Sequence, residues 1–144
     1  MQHYTKLCAL LLCAWALTAC QVERDPNRNG GGDHLRTTAI NMPLNKVIID
    51  HVDIVGGDRD DWKFFTITND GLVRVVANFD NPEAEARVFV INAVGQVMSD
   101  LELPESTKQV RQLQFQAKPG NYYLHIYADE LNTDYSVEVV FKEM

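Results

Sequence analysis

The residues best suited to chemistry in this sequence form two groups and one isolated side chain. Asp58, Asp60 and Asp61 crowd into the stretch Gly57-Asp58-Arg59-Asp60-Asp61. Carboxylates gathered this closely repel one another unless a cation sits among them, and hard oxygen donors on a loop suit Ca²⁺. The spacing is not that of an EF-hand, which needs Gly at its sixth position and Glu at its twelfth. The cluster therefore reads either as a calcium site or as a solvated turn between strands. Tyr123, His125 and Tyr127 are the second group. Alternate positions of a strand share a face, so these three form an outward stripe if Tyr122, Leu124 and Ile126 face the core. Tyrosine offers large contact area at small entropic cost and suits a recognition surface, although aromatic residues also simply favour strands. The isolated side chain is Cys20.

Other chemistries find little support. All three cysteines, Cys8, Cys13 and Cys20, lie in the first 20 residues. The rest of the chain has no disulfide, no cysteine zinc site and no thiol nucleophile. His34, His51 and His125 form no His-x-x-x-His or His-Glu-x-x-His pattern, which leaves a zinc enzyme unsupported. Ser99, Ser106 and Ser136 lie in no Gly-x-Ser-x-Gly elbow. Gly30-Gly31-Gly32 is followed by no Lys-Ser/Thr and is no phosphate loop. The reading is that the protein is not an enzyme. A formal charge of −7 argues against nucleic acid as a partner, because phosphate binding needs clustered Lys and Arg. It also argues against adhesion to anionic lipid by charge alone.

The elements that must position these residues begin with a leader. Lys6 precedes an apolar run from Leu7 to Leu17. The run is shorter than the roughly 20 residues a bilayer requires, but it suits a signal peptide. It ends in Leu17-Thr18-Ala19-Cys20, which resembles the bacterial lipobox. The resemblance implies that residues 1–19 are removed and that Cys20 carries a diacylglycerol, with further acylation of the new amine. Each buried methylene contributes about 0.8 kcal/mol, and two or more chains hold a protein stably where one does not. Gln21, in place of Asp after the cysteine, resembles an outer-membrane address. The expected location is the bacterial cell envelope, on the outer membrane, with the lipid bilayer and other envelope proteins as partners.

From Gln21 to about Ile40 no hydrophobic period is sustained. The stretch Asp25-Pro26-Asn27-Arg28-Asn29-Gly30-Gly31-Gly32-Asp33 has almost no apolar side chains to offset its conformational entropy. Residues 20–43 are therefore read as the acylated cysteine and a linker, and 44–144 as one folded domain. Past Pro43 the pattern turns to strands. Val47 to Val55 is rich in β-branched residues, and Trp62 to Thr68 is followed by Asn69-Asp70-Gly71, whose Asp-Gly pair signals a hairpin. Leu72 to Phe79 alternates, and Arg87 to Val94 is apolar on both faces, as expected of a central strand. Val97 to Leu103 reads as an edge strand ending at Pro104. Leu113, Phe115 and Ala117 then alternate with glutamines, and Tyr122 to Ala128 and Tyr135 to Phe141 complete the set. About eight short strands with no helical period predict an all-β, antiparallel β-sandwich, jelly-roll-like in form.

Three landmarks within this pattern resemble the bacterial pre-peptidase C-terminal domain. Gly57-Asp58-Arg59-Asp60-Asp61-Trp62-Lys63-Phe64-Phe65-Thr66-Ile67 is similar to its Asp-x-Asp-Trp-(x)-Phe-x-(Val/Ile) opening. Val88-Phe89-Val90-Ile91-Asn92-Ala93-Val94-Gly95 is similar to its central strand. Pro119-Gly120-Asn121-Tyr122-Tyr123-Leu124-His125-Ile126-Tyr127-Ala128, with Asp134-Tyr135-Ser136-Val137-Glu138-Val139 beyond it, looks like its closing hairpin. The resemblance implies a β-sandwich of the kind appended to secreted proteases, some of which bind calcium or polymers such as collagen. In such calcium-binding relatives acidic residues near the start of the domain complete the shell, which makes Asp50 and Asp53 helpers to Asp58, Asp60 and Asp61. The expected function is that of a lipid-anchored envelope protein with a non-catalytic protein- or polymer-binding module, a structural accessory of a larger assembly. The alternative is a calcium-dependent carbohydrate- or matrix-binding surface lipoprotein.

Overall fold

Period-two alternation between apolar and polar side chains organises the chain into strands that each bury one face. The computed structural model describes residues 32–102 and 111–144. The leader, Cys20, residues 21–31 and the predicted stop at Pro104 lie outside the described residues. Among the described residues there are nine strands: β1 (Ile40–Asn41), β2 (Val47–Val52), β3 (Asp60–Ile67), β4 (Gly71–Phe79), β5 (Arg87–Asn92), β6 (Val97–Glu102), β7 (Arg111–Ala117), β8 (Gly120–Tyr127) and β9 (Thr133–Glu143). They form a five-stranded sheet in the order β1-β3-β8-β5-β6 and a four-stranded sheet in the order β2-β9-β4-β7. All pairings are antiparallel except that of β1 with β3. This is the all-β sandwich that the sequence predicts.

The inward faces interdigitate to make the core. Phe65 and Ile67 of β3, Val73 and Val75 of β4, Val88 and Val90 of β5, Leu124 and Ile126 of β8, and Tyr135, Val137 and Val139 of β9 are all essentially removed from solvent. Each such aliphatic side chain contributes roughly 1.5–3 kcal/mol of transfer free energy. The predicted central strand is central, since β5 lies between β8 and β6, and the predicted edge strand β6 ends the sheet.

Two kinds of sequence reading need correction, the hairpins and the linker. Asp70-Gly71 does not close a hairpin: β3 belongs to the five-stranded sheet and β4 to the four-stranded one, so the turn carries the chain across the sandwich. Gly71 serves close approach rather than a left-handed turn. A Cβ there would lie 2.6 Å from the Lys142 carbonyl oxygen and would collide with the Phe141 ring. The β8–β9 pair, read as a closing hairpin, is likewise split between sheets. Secondly, residues 33–43, read as linker, pack on the sandwich. Asp33 and Met42 are buried, the Trp62 amide donates to the Asp33 carbonyl at 2.8 Å, and the Met42 amide donates to the Phe64 carbonyl at 2.7 Å. Between these anchor points a 3-10 turn, Arg36–Thr38, loops outward.

Candidate functional site

Strand β3 organises two sites, because its odd and even positions face opposite sides of the sheet. Asp61, Lys63, Phe65 and Ile67 are buried, whereas Asp60, Trp62 and Phe64 are half-exposed on the outer surface. The predicted calcium cluster is therefore divided. Asp60 lies outside, with its Oδ1 2.7 Å from His125 Nε2, while Asp58 and Asp61 point inward and are 1% and 0% exposed.

The inward group is an ionic cage built from four elements. Asp33 comes from the segment before β1, Asp50 from β2, Asp61 and Lys63 from β3, and Tyr135 from β9. One carboxylate oxygen of each of Asp33, Asp50 and Asp61 lies within 4.8 Å of the other two. The Lys63 ammonium donates to Asp33 Oδ2 at 2.6 Å and also to Asp50 Oδ2. The Tyr135 hydroxyl donates to Asp61 Oδ2 at 2.5 Å. Among the described residues, Asp33 Oδ1, Asp61 Oδ1 and both oxygens of Asp58 have no hydrogen-bond partner. Of the two proposed helpers, Asp50 joins this cage, whereas Asp53 Oδ1 accepts from the Gly56 amide at 2.8 Å and so stabilises its own turn.

The electrostatics follow from crowding acids away from water. Burial pushes Asp61 up to about 8; the hydrogen bond from Tyr135 opposes that shift and the Asp33 charge reinforces it. Burial, then the charges of Asp33, Asp50 and Asp53, raise Asp58 to about 6. Burial also raises Asp33, against the pull of Lys63. For Lys63 burial works against the charge, but the hydrogen bonds to Asp33 and Asp50 outweigh it, so its pKa rises and the ammonium persists. The donors are of the hard-oxygen kind that calcium takes. Two of the three carboxylates, however, are already bonded to Lys63, and calcium does not fit alongside it.

The outer group is an aromatic surface in cross-strand rows. The register aligns Trp62, His125 and Phe89 in one row, Phe64, Tyr123 and Ile91 in the next, and Asp60, Tyr127 and Arg87 in a third. Trp62 and His125 stack with centroids 4.1 Å apart and planes 8° from parallel. Phe89 and Tyr127 lie 5.9 Å apart at 4°, and His125 and Tyr127 lie 5.3 Å apart. The Arg36 guanidinium sits 4.2 Å over the Tyr123 ring and donates to the Ala93 carbonyl at 2.6 Å. Tyr123, His125 and Tyr127 thus occupy the outer face, in company with Trp62, Phe64 and Phe89, which sequence reasoning did not single out. The alternation along β3 and β5, like that along β8, places all three on this face.

No family model and no curated protein matches the sequence. Solved structures do match. The pre-peptidase C-terminal domain of a collagenase from Bacillus anthracis superposes with a TM-score of 0.60 at 20% identity, over 70% of this chain and 93% of that one. A periplasmic inhibitor of g-type lysozyme from Aeromonas hydrophila, PliG, gives a TM-score of 0.48 at 11% identity, over 72% of this chain and 96% of its own. The described sandwich is a pre-peptidase C-terminal-like domain in its fold.

Proposed function

We propose that this chain is a lipid-anchored protein of the bacterial envelope whose sandwich is a non-catalytic binding module. The module holds a protein or an extended polymer against the outer face of the five-stranded sheet, as an accessory of a larger envelope assembly. The observation that carries this reading is the aromatic surface of Trp62, Phe64, Phe89, Tyr123, His125 and Tyr127 on strands β3, β5 and β8. Rings pre-stacked on a rigid sheet lose little conformational freedom on binding, and aromatic anchors commonly dominate interface energetics. The His125–Asp60 pair fits recognition better than catalysis, since the imidazole is flanked by the rings of Trp62, Phe89 and Tyr127. The anchor part of the proposal rests on Leu17-Thr18-Ala19-Cys20.

Photo-crosslinking in intact cells tests both parts. A crosslinker at Tyr127, on the aromatic face, is expected to trap a defined partner. The same group at Gln114, exposed on the four-stranded sheet, is expected to trap none. Cys20→Ser is expected to release the protein from membranes and to lose the Tyr127 adduct. Equal adducts from both faces would remove the aromatic face as the binding site, and retention of the Cys20→Ser chain on membranes would remove the anchor.

A further inference from the structure

We infer that Lys63 performs in this sandwich the task of a divalent cation: its ammonium bonds Asp33 and Asp50 beside Asp61 and so holds the three acids as one unit without a metal, and deleting that side chain turns the cage into a calcium site. The inference stands apart from the anchor and from the aromatic face.

The geometry of the cage is that of a hard-cation shell. Calcium holds oxygens at about 2.3–2.6 Å, so donors facing one another across the ion lie up to roughly 5 Å apart. The three carboxylates meet within 4.8 Å. They come from three separate stretches of chain, the segment before β1, strand β2 and strand β3. Whatever neutralises them therefore fastens those stretches together. Lys63 is 2% exposed and Asp33 and Asp61 are 0% exposed, so bulk water cannot screen their repulsion. A buried lysine is tolerated only when paired and hydrogen-bonded. Here two of its three donors are committed to Asp33 and Asp50. The strand register leaves Lys63 no alternative, since it lies between the buried positions Asp61 and Phe65.

The orphaned oxygens identify what a vacated cage would attract. Among the described residues Asp33 Oδ1 and Asp61 Oδ1 find no hydrogen-bond partner, and neither do the two oxygens of Asp58, which is 1% exposed. Replacing lysine by a small polar residue leaves buried carboxylates around a space of cation size, with no positive charge inside. An ion with flexible coordination and a preference for six to eight oxygens suits such a set.

The test compares the full chain with Lys63→Ser, each melted in chelator and in millimolar calcium, with Tb³⁺ luminescence as a second readout. Tyr135, bonded to Asp61, is placed to sensitise a bound lanthanide. The wild type is expected to melt at the same temperature in both solutions and to give no sensitised Tb³⁺ emission. Lys63→Ser is expected to melt lower in chelator and to recover by about 5 °C or more in calcium, because a ligand bound only by the native state stabilises it. It is also expected to give Tb³⁺ emission that calcium quenches by competition. A calcium-induced rise in the wild-type midpoint would overturn the inference, and so would a Lys63→Ser chain that folds but ignores both ions. If Lys63→Ser folds only when calcium is present, the expectation is met in its strongest form. If it folds in neither solution, Lys63→Ser with Asp61→Asn, carrying one acid fewer, takes its place under the same criteria.

Discussion

The two faces of strand β3 make opposite use of similar residues. On the outer face Asp60 pairs with a histidine set among stacked rings, and each group keeps partial contact with solvent. On the inner face Asp61, one residue along, is fully buried beside Lys63 and is held by the Tyr135 hydroxyl. The first arrangement can exchange its neighbours for those of a partner at modest loss. The second cannot, because a buried charge without its counter-charge costs several kcal/mol. The proposed recognition surface and the ionic cage are thus separated by a single step of the pleat.

Substitutions on the two faces should separate accordingly. The largest effect is expected from Lys63→Met, which leaves Asp33, Asp50 and Asp61 without their cation and destabilises the fold by about 3–5 kcal/mol. Chemical denaturation measures this, and a loss below about 1 kcal/mol would mean the cage contributes little. Trp62→Ala should cost the fold only about 1 kcal/mol through lost stacking. It should weaken partner capture by about 30-fold, the equivalent of about 2 kcal/mol for an aromatic anchor. Titrated crosslinking from Tyr127 reads the second quantity and thermal melting the first.

The smallest and most selective effect is that of pH. Asp61 and Asp58 are raised in the folded chain to about 8 and about 6 from an ordinary carboxylate value of 3.8. The native state then binds more protons than the unfolded one between these limits. The stability contributed by these groups is complete below about pH 4 and declines as pH rises through 6 and 8. Asp61→Asn keeps an acceptor for Tyr135 and removes the ionisable group. It should flatten the fall in melting temperature between pH 6 and 8, where Asp61 is the group still releasing its proton.

Much of this division was legible in the sequence, and the reasons for the gaps are specific. Alternation on β8 placed Tyr123, His125 and Tyr127 on the outside because Leu124 and Ile126 are unmistakably core. The same rule applied to β3 would have separated Asp60 from Asp61 and flagged Lys63 as an inward lysine in need of acids. Proximity in sequence instead groups Asp58, Asp60 and Asp61 into one acidic cluster. Asp33 was beyond reach: it stands in a glycine-rich stretch, and its partner Lys63 lies 30 residues further on in a different element. The strand β1, two residues long, carries too little pattern to be read, and it exists because β3 offers it an edge. Asp70-Gly71 misled because a turn signal gives the reversal of the chain but not the sheet to which the next strand belongs.

The fastening of Asp33 also has a mechanical meaning. Any tension transmitted along the backbone from residue 31 enters the described domain next to the Asp33–Lys63 ion pair and the hydrogen bond from the Trp62 amide to the Asp33 carbonyl. Those bonds must rupture before force reaches the short parallel pairing of β1 with β3, and that pairing before the antiparallel body of the sheet. A pull on the backbone ahead of Asp33 is therefore resisted first by a buried latch, and the rows of rings behind it keep their alignment while the latch holds.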